Sequence, residues 1–269
     1  MLRRLARIPG NLFVLVMVLL AVLPFLYMVS TSVQSGATRL VLWPDWSAFD
    51  LSAYTRLFTT YGFGRALGIS VVVVTLACAA NLVVCSLAAY AFAKRPFRGS
   101  EVLYWVYVAT MMVPTQVTLI PLYRLMRDLG LLNTTVALFL PAVNAFGVFL
   151  IRQFLDAVPD DIIEAARIDG AGDLRIFWQI VLPLIRPVVV TLTVFTFIST
   201  WNDFLWPLVV TSDSAMNTVT LAAAQLQGRF TTDYGLVMAG ATVAFLIPFL
   251  MYVLLQRHFV QGIASSGLK

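Results

Sequence analysis

Residues 164–183 read EAARIDGAGDLRIFWQIVLP, the longest polar-rich run in a chain otherwise dominated by apolar stretches. Asp156, Asp160, Asp161, Glu164, Asp169 and Asp173 place six of the thirteen acids within 18 positions, with Arg152, Arg167, Arg175 and Arg186 among or beside them. Pro159 ahead of two aspartates suits a helix start, because the ring pre-sets φ and the acids meet the positive helix end. Gly170 supplies a stop, since it accepts a left-handed C-terminal conformation without a Cβ clash. A second short helix is expected over 173–182, with Asp173 as N-cap and Pro183 ending or kinking it. On it Leu174, Phe177, Trp178, Val181 and Leu182 form one apolar stripe. Helices of roughly ten residues cannot cross a bilayer, which takes about 20. The pair is therefore expected to protrude into water and present a surface.

Working outward, 60% of the 269 residues are hydrophobic and 12% are charged, against about 25% charged in soluble domains. Apolar runs at 12–29, 66–93, 102–122, 136–155, 184–204 and 236–255 predict an all-α polytopic membrane bundle of six transmembrane helices. The first run follows Arg3, Arg4 and Arg7 but is longer than a secretory core and has no clear A-x-A site. It is expected to be an uncleaved span with Pro24 as a tolerated kink. Residues 1–65 thus hold the first span and an external loop, with a short amphipathic helix expected between 34 and 65. Residues 66–257 hold spans two to six and the polar loop 156–187; 258–269 form a tail. In the second span Ala77, Asn81, Cys85 and Ala89 recur every four residues, a stripe along which another helix can approach closely. Pro114 and Pro121 are expected to bend or break the third span.

The net charge of +5 comes from basic residues in short loops, which fits membrane topology and gives no support to a nucleic-acid role. With the N-terminus inside, twelve Lys and Arg fall in inner segments and six in outer ones. That asymmetry places both termini in the cytoplasm. Cys78 and Cys85 lie in one apolar run and indicate no disulfide framework. The only lysines are Lys94 and Lys269, and there is no G-x-x-x-x-G-K-[ST] loop to cradle nucleotide phosphates. Zinc-ligand spacings and a G-x-S-x-G elbow are missing too, and the single His258 sits beside Arg257. No catalytic residue, metal site or cofactor is expected on this chain, and an enzyme reading has no supporting residues.

The 164–183 stretch resembles the signature of ABC importer permease subunits, E-A-A, three residues, G, nine residues, I-x-L-P, through Glu164, Ala165, Ala166, Gly170, Ile180, Leu182 and Pro183. MVPTQVTLIPLY (112–123), GLLNT (130–134), FGVFLIRQF (146–154), ISTWNDFLWPL (198–208) and RHFVQGIASSGLK (257–269) are similar to the carbohydrate-uptake branch, and within it to the maltose-type second permease. The resemblance covers residues 66–269 well and the first 65 loosely. It implies a subunit of the bacterial cytoplasmic membrane that pairs with a second related permease and two ATPase subunits. An external solute-binding protein would supply a sugar-like solute. ATP and Mg²⁺ would sit on the partner ATPase. In such families the helix bearing E-A-A inserts into a cleft of the ATPase, and the seven matched residues carry that role over. The loop 205–235 would reach towards the binding protein, and the tail towards the ATPases.

Thr191, Thr193, Thr196, Trp201, Asn202 and Asp203 are candidates for the solute path. Two readings stay open for them. Hydroxyls in membrane helices also bond their own backbone, and Asp203 also suits a capped helix end flanked by interfacial Trp201 and Trp206. A stand-alone secondary transporter or channel is the alternative. It would call for buried ionisable groups or an inverted repeat, and Asp203 is the one acid near a span core.

Overall fold

The structure, a computed structural model, describes residues 8–34, 43, 45–227 and 233–266, with side chains from 12 to 254 within these. Among the described residues, three helices are long and apolar enough to cross a membrane unbroken, at Leu12–Ser32, Phe63–Lys94 and Tyr234–Leu254. Three further pairs pass the same test only as bent units, which gives up to six spans if each pair is one. The described residues contain no strand beyond an isolated bridge between Gln34 and Phe49. A helical bundle is what lipid allows, because every backbone N–H and C=O is satisfied within its own segment.

The chain divides into two compact units, residues 1–65 with 221–247, and residues 66–220 with 248–269. The first contains α1 (Ile8–Ser32), with Pro24 inside it, and α2 (Ser52–Thr59). The short amphipathic helix expected between 34 and 65 is α2. Its Ala53 and Leu57 are buried while Thr55, Arg56 and Phe58 are exposed. Arg56 reaches Asp233 at 2.7 Å, and the Ser32 hydroxyl lies 2.7 Å from that of Tyr54. Residues 35–42 and 44 of the expected loop lie outside the described residues.

The second unit begins inside the long helix α3 (Phe63–Lys94). Along it Ala77, Asn81, Cys85 and Ala89 are all buried, as the small-residue stripe predicts. The third span is α4 (Ser100–Ala109) with a 3₁₀ turn to Met112, then α5 (Thr115–Asp128), bent by 106°. The break falls at Pro114, which cannot donate its backbone nitrogen and pushes Val113 to an extended ψ of 117°. Pro121 lies within α5. The fourth span, read as one continuous helix over 136–155, is instead divided. It comprises α6 (Thr135–Phe139), a 3₁₀ turn over Leu140–Ala142 and α7 (Ala145–Leu155), bent by 41°. Pro141 and the N-cap Asn144, whose Oδ1 accepts the Phe146 amide at 3.1 Å, restart the helix there.

The polar run folds as α8 (Asp160–Ile168) and α9 (Asp173–Leu184). It differs from the expected 173–182 helix in three ways. Gly172 is the N-cap and Asp173 the first helical residue. A five-residue π segment, Phe177–Val181, interrupts the helix. The bend falls at Ile185, after Pro183, and α10 (Arg186–Trp201) leaves at 81°. The π segment shifts the register, so the expected stripe splits. Ile176, Phe177 and Val181 are buried, whereas Leu174 and Trp178 are 69% and 48% exposed.

The 205–235 stretch, expected as a polar external loop, contains α11 (Leu205–Val210), a 3₁₀ turn over Ser214–Met216 and α12 (Val219–Gln225). Trp206, Pro207, Val210, Asn217 and Thr218 are buried, so its first part packs rather than waving in solvent. GLLNT is the clamp that holds it. Asn133, in the left-handed region at φ 57°, accepts the amides of Ser212 and Asp213 through Oδ1 at 2.7 and 3.0 Å. The last helix, α13 (Tyr234–Ser266), runs into the tail, whose side chains and residues 267–269 lie outside the described residues.

Candidate functional site

Two features of the second unit carry the candidate chemistry, a hairpin and a pocket. The hairpin is α8 and α9. Asp160 and Asp161 occupy the first turn of α8 and Arg167 its last, each matched in sign to the helix end it meets. Ile163 and Ala166 are buried against the core around Tyr104, Ile151 and Phe177, while Glu164, Ala165 and Arg167 are exposed. Ala166 thus packs on its own chain, and Glu164 and Ala165 form the outward face. At the corner the Ala171 amide donates to the Ala166 carbonyl at 3.0 Å and the Gly170 amide to Arg167 at 2.9 Å. This is the Schellman arrangement, with Gly170 at φ 81°. No atom lies within 4 Å of where its Cβ would be, so it is the backbone and not lack of room that calls for glycine. Ile180 and Leu182 are half-buried against the same core, and Pro183 is exposed.

The basic turn after α3 fixes the base of the hairpin, a role sequence reasoning did not assign. Lys94, with its side chain 5% exposed, donates through Nζ to the Val158 carbonyl at 2.7 Å and to Asp160 Oδ1 at 2.8 Å. The next residue, Arg95, pairs with Asp173 at the start of α9. One dipeptide therefore holds the first turns of both short helices. Beside it Arg152 bonds Glu101 at 2.6 Å and lies over the Tyr104 ring at 3.7 Å. The ring face meets a guanidinium edge that finds no further hydrogen-bond acceptor. Outside, Ile162, Ile168, Leu174 and Trp178 leave apolar surface exposed on the hairpin, Ile168 at 86%. Exposed apolar surface rimmed by charge marks an interaction site.

The pocket lies beside the breaks in the third and fourth spans, where α10 ends. A cavity of about 390 Å³ is lined by residues at the start of α5, at the α6–α7 break and at the end of α10. That volume is in the range of small-molecule sites. Its polar lining is Thr115, Thr118, Asn144, Ser199, Thr200 and Asp203. Of the six solute-path candidates, Asp203 alone is among the lining. Thr191 and Thr193 donate to the carbonyls of Pro187 and Val189 on their own helix, at 3.0 and 2.9 Å. Thr196 is buried and accepts from Asn81 Nδ2 at 2.7 Å. Trp201 is buried and stacked on Phe197, with centroids 5.7 Å apart. Asn202 donates to Ile198 at 2.9 Å, closing the helix end. The lining hydroxyls of Thr115 and Thr118 carried one signal in the sequence, the Pro114 break just before them.

Trp206 forms the pocket wall and donates its indole N–H to the Ala137 carbonyl at 2.8 Å, tying α11 to α6. Trp206→Phe leaves that buried carbonyl without a donor. An expected loss of about 1 kcal/mol should appear as a lower unfolding midpoint in detergent, and an unchanged midpoint would argue against the tie.

Residues 81–265 match the family described as binding-protein-dependent transport system inner membrane component. The arabinooligosaccharides transport system permease protein AraQ of Halalkalibacterium halodurans is 31% identical over 262 residues, covering 93% of this chain and 92% of that one. The sn-glycerol-3-phosphate transport system permease protein UgpE of Agrobacterium fabrum is 35% identical over 282 residues, with 98% of each chain covered. Among solved structures, a chain of a bacterial ABC transporter involved in import of the acidic polysaccharide alginate superposes with a TM-score of 0.85. It shares 26% identity and covers 95% of this chain and 97% of its own. The chain belongs to the family of binding-protein-dependent transport system inner membrane components, the permeases of ABC importers.

Proposed function

We propose that this chain is one transmembrane subunit of an ATP-driven importer that moves a sugar or sugar-like solute into the cell. The observation that carries the reading is the hairpin of α8 and α9. It is too short to span lipid, stops at a glycine corner, is braced at its base by Lys94 and Arg95, and exposes Glu164, Ala165 and a rim of apolar side chains. Those features suit a handle gripped by a separate ATPase. Glu164 offers a charge to a basic partner group, Ala165 permits close backbone approach, and Ile168, Leu174 and Trp178 would become buried on docking.

In the full particle a second related permease stands beside this chain, two ATPase subunits sit beneath, and an external binding protein delivers the solute. ATP and Mg²⁺ belong to the ATPase subunits. Closure of the ATPases moves the hairpins as rigid bodies and switches the path between inward- and outward-facing arrangements. Both termini and the hairpin face the cytoplasm in this scheme. Seven residues carry the coupling: Glu164, Ala165, Ala166, Gly170, Ile180, Leu182 and Pro183. The sugar class rests on relatives whose names specify oligosaccharide and lactose transport.

The test is assembly and orientation. Detergent-solubilised protein should bring down an ATPase whose turnover rises with loaded binding protein. A cysteine placed at exposed Ile168 should react with an impermeant thiol reagent from the cytoplasmic side alone; labelling from outside would end the proposal. Gly170→Val forces a β-branched residue into a left-handed conformation that costs about 1–2 kcal/mol even for ordinary residues. Membrane insertion should survive, and ATP-driven uptake should fall at least roughly tenfold, the equivalent of 1.4 kcal/mol. A fully active complex from this variant would count against the role of the corner.

A further inference from the structure

The solute class can be narrowed by charge, on an argument that rests on the importer reading above. The pocket between the start of α5, the α6–α7 break and the end of α10 is lined by Thr115, Thr118, Ser199, Thr200, Asn144 and Asp203, and the Thr118 and Ser199 hydroxyls, which donate to their own helices at 3.0 and 3.1 Å, face a solute as acceptors. None of its lining residues is Lys, Arg or His. Backbone dipoles also face it and do not all point the same way. The start of α5 lines the pocket and has no side-chain cap, so it offers about half a positive charge. The start of α7 is already occupied by Asn144, and the end of α10 at Ser199 and Thr200 offers the opposite half charge. These two helix ends oppose each other in sign, and Asp203, which caps the start of α11 through the Trp206 amide, is the one charged side chain in the lining. An anionic solute would lose its hydration there and meet a like charge with no cation to pair with. A carboxylate and a set of hydroxyls instead match adjacent hydroxyl donors on an uncharged carbohydrate or polyol.

We propose that this pocket is a transit subsite for an uncharged, hydroxyl-rich solute, and that Asp203 is the residue that excludes phosphorylated and uronate-bearing ones. Asp203 also anchors the local fold, because its Oδ1 accepts the Trp206 amide at 3.3 Å. Asparagine keeps that acceptor while removing the charge, so Asp203→Asn separates electrostatics from architecture.

The experiment uses the whole complex in two assays. In proteoliposomes with its binding protein, ATP-driven uptake is measured for a panel of neutral oligosaccharides and polyols, and for glycerol 3-phosphate and oligogalacturonates. Uptake of at least one neutral probe and none of the anions is expected. Uptake of an anionic probe at a comparable rate, or of no neutral probe by an assembled and ATP-hydrolysing complex, overturns the proposal and leaves the importer reading standing. If no ATPase assembles with the chain, the importer reading itself has failed, and this proposal with it.

The second assay removes selection by the binding protein. Radiolabelled maltotriose and trigalacturonate are retained on the detergent-solubilised complex alone. A neutral-to-anion preference of at least about tenfold is expected for the native chain and for Asp203→Glu, falling below about threefold in Asp203→Asn. A preference unchanged in Asp203→Asn overturns the role of Asp203. If that variant does not assemble, the native chain still decides: equal retention of the two probes refutes the subsite.

Discussion

Gly147→Val is expected to break the second unit. A Cβ at Gly147 would lie 2.7 Å from the Cys85 sulfur and 2.8 Å from Asn81 Oδ1, and Cys85 Cβ is 3.0 Å away. All three belong to the face of α3 that α7 packs against. Neither neighbour can step aside freely. Asn81 is tied to Thr196 at 2.7 Å, and the Cys85 thiol donates to Asn81 Oδ1 at 2.6 Å. Inserting even one methyl group into a filled core costs about 1–3 kcal/mol, and valine adds two further methyl groups. Thermal unfolding of the detergent-purified chain should begin at a lower temperature, with less monodisperse protein recovered. Gly147→Ala should show a smaller version of the same loss. Adding Cys85→Ala should return part of it by removing the nearest atom. A double variant no better than the single one would place the damage elsewhere.

Lys94→Ala should leave a folded but poorly coupled chain. Its buried ammonium bonds the Val158 carbonyl and Asp160 at the point where the chain enters α8. Hydrogen bonds to charged groups are worth about 1.5–3 kcal/mol each. The Asp160 half is discounted, because that side chain is 73% exposed and water screens the pair. The bond to Val158 then dominates, and its loss frees the hairpin at its hinge. ATP-driven uptake should fall by about tenfold or more, the factor that corresponds to 1.4 kcal/mol, while the ATPase still co-purifies and hydrolyses ATP. Lys94→Arg should retain part of the uptake, since a guanidinium can reach the same carbonyl. Asp160→Asn should cost less than Lys94→Ala, because it leaves the Val158 bond intact. The reverse order would mean that the exposed ion pair, not the buried bond, holds the hairpin.

Much of the molecule was legible without coordinates, and for physical reasons that act locally. Lipid demands about 20 apolar residues per crossing, so the apolar runs located the spans. The proline–aspartate start and the glycine corner of 159–170 depend on neighbouring backbone conformations, and the structure has both. The four-residue spacing of Ala77, Asn81, Cys85 and Ala89 is a one-helix property, and so the buried face of α3 could be read directly. The chain alone thus settled that this is a polytopic helical protein with a short hairpin, cornered at Gly170, after its fourth apolar run.

Tertiary structure decided the rest, because it turns on groups far apart in the chain. The break in the fourth span arises where Pro141 and Asn144 find a cavity shared with α5 and α10, and its apolar composition gave no warning. The six path candidates were chosen by nearness along one segment, yet hydroxyls at 191 and 193 bond their own turn, and the pocket draws on residues from 115 to 206. Lys94 lies 66 positions from Asp160, a separation no local pattern encodes. Helix starts, stops and faces follow from a few neighbouring residues, whereas a pocket or a brace exists only once distant segments have packed.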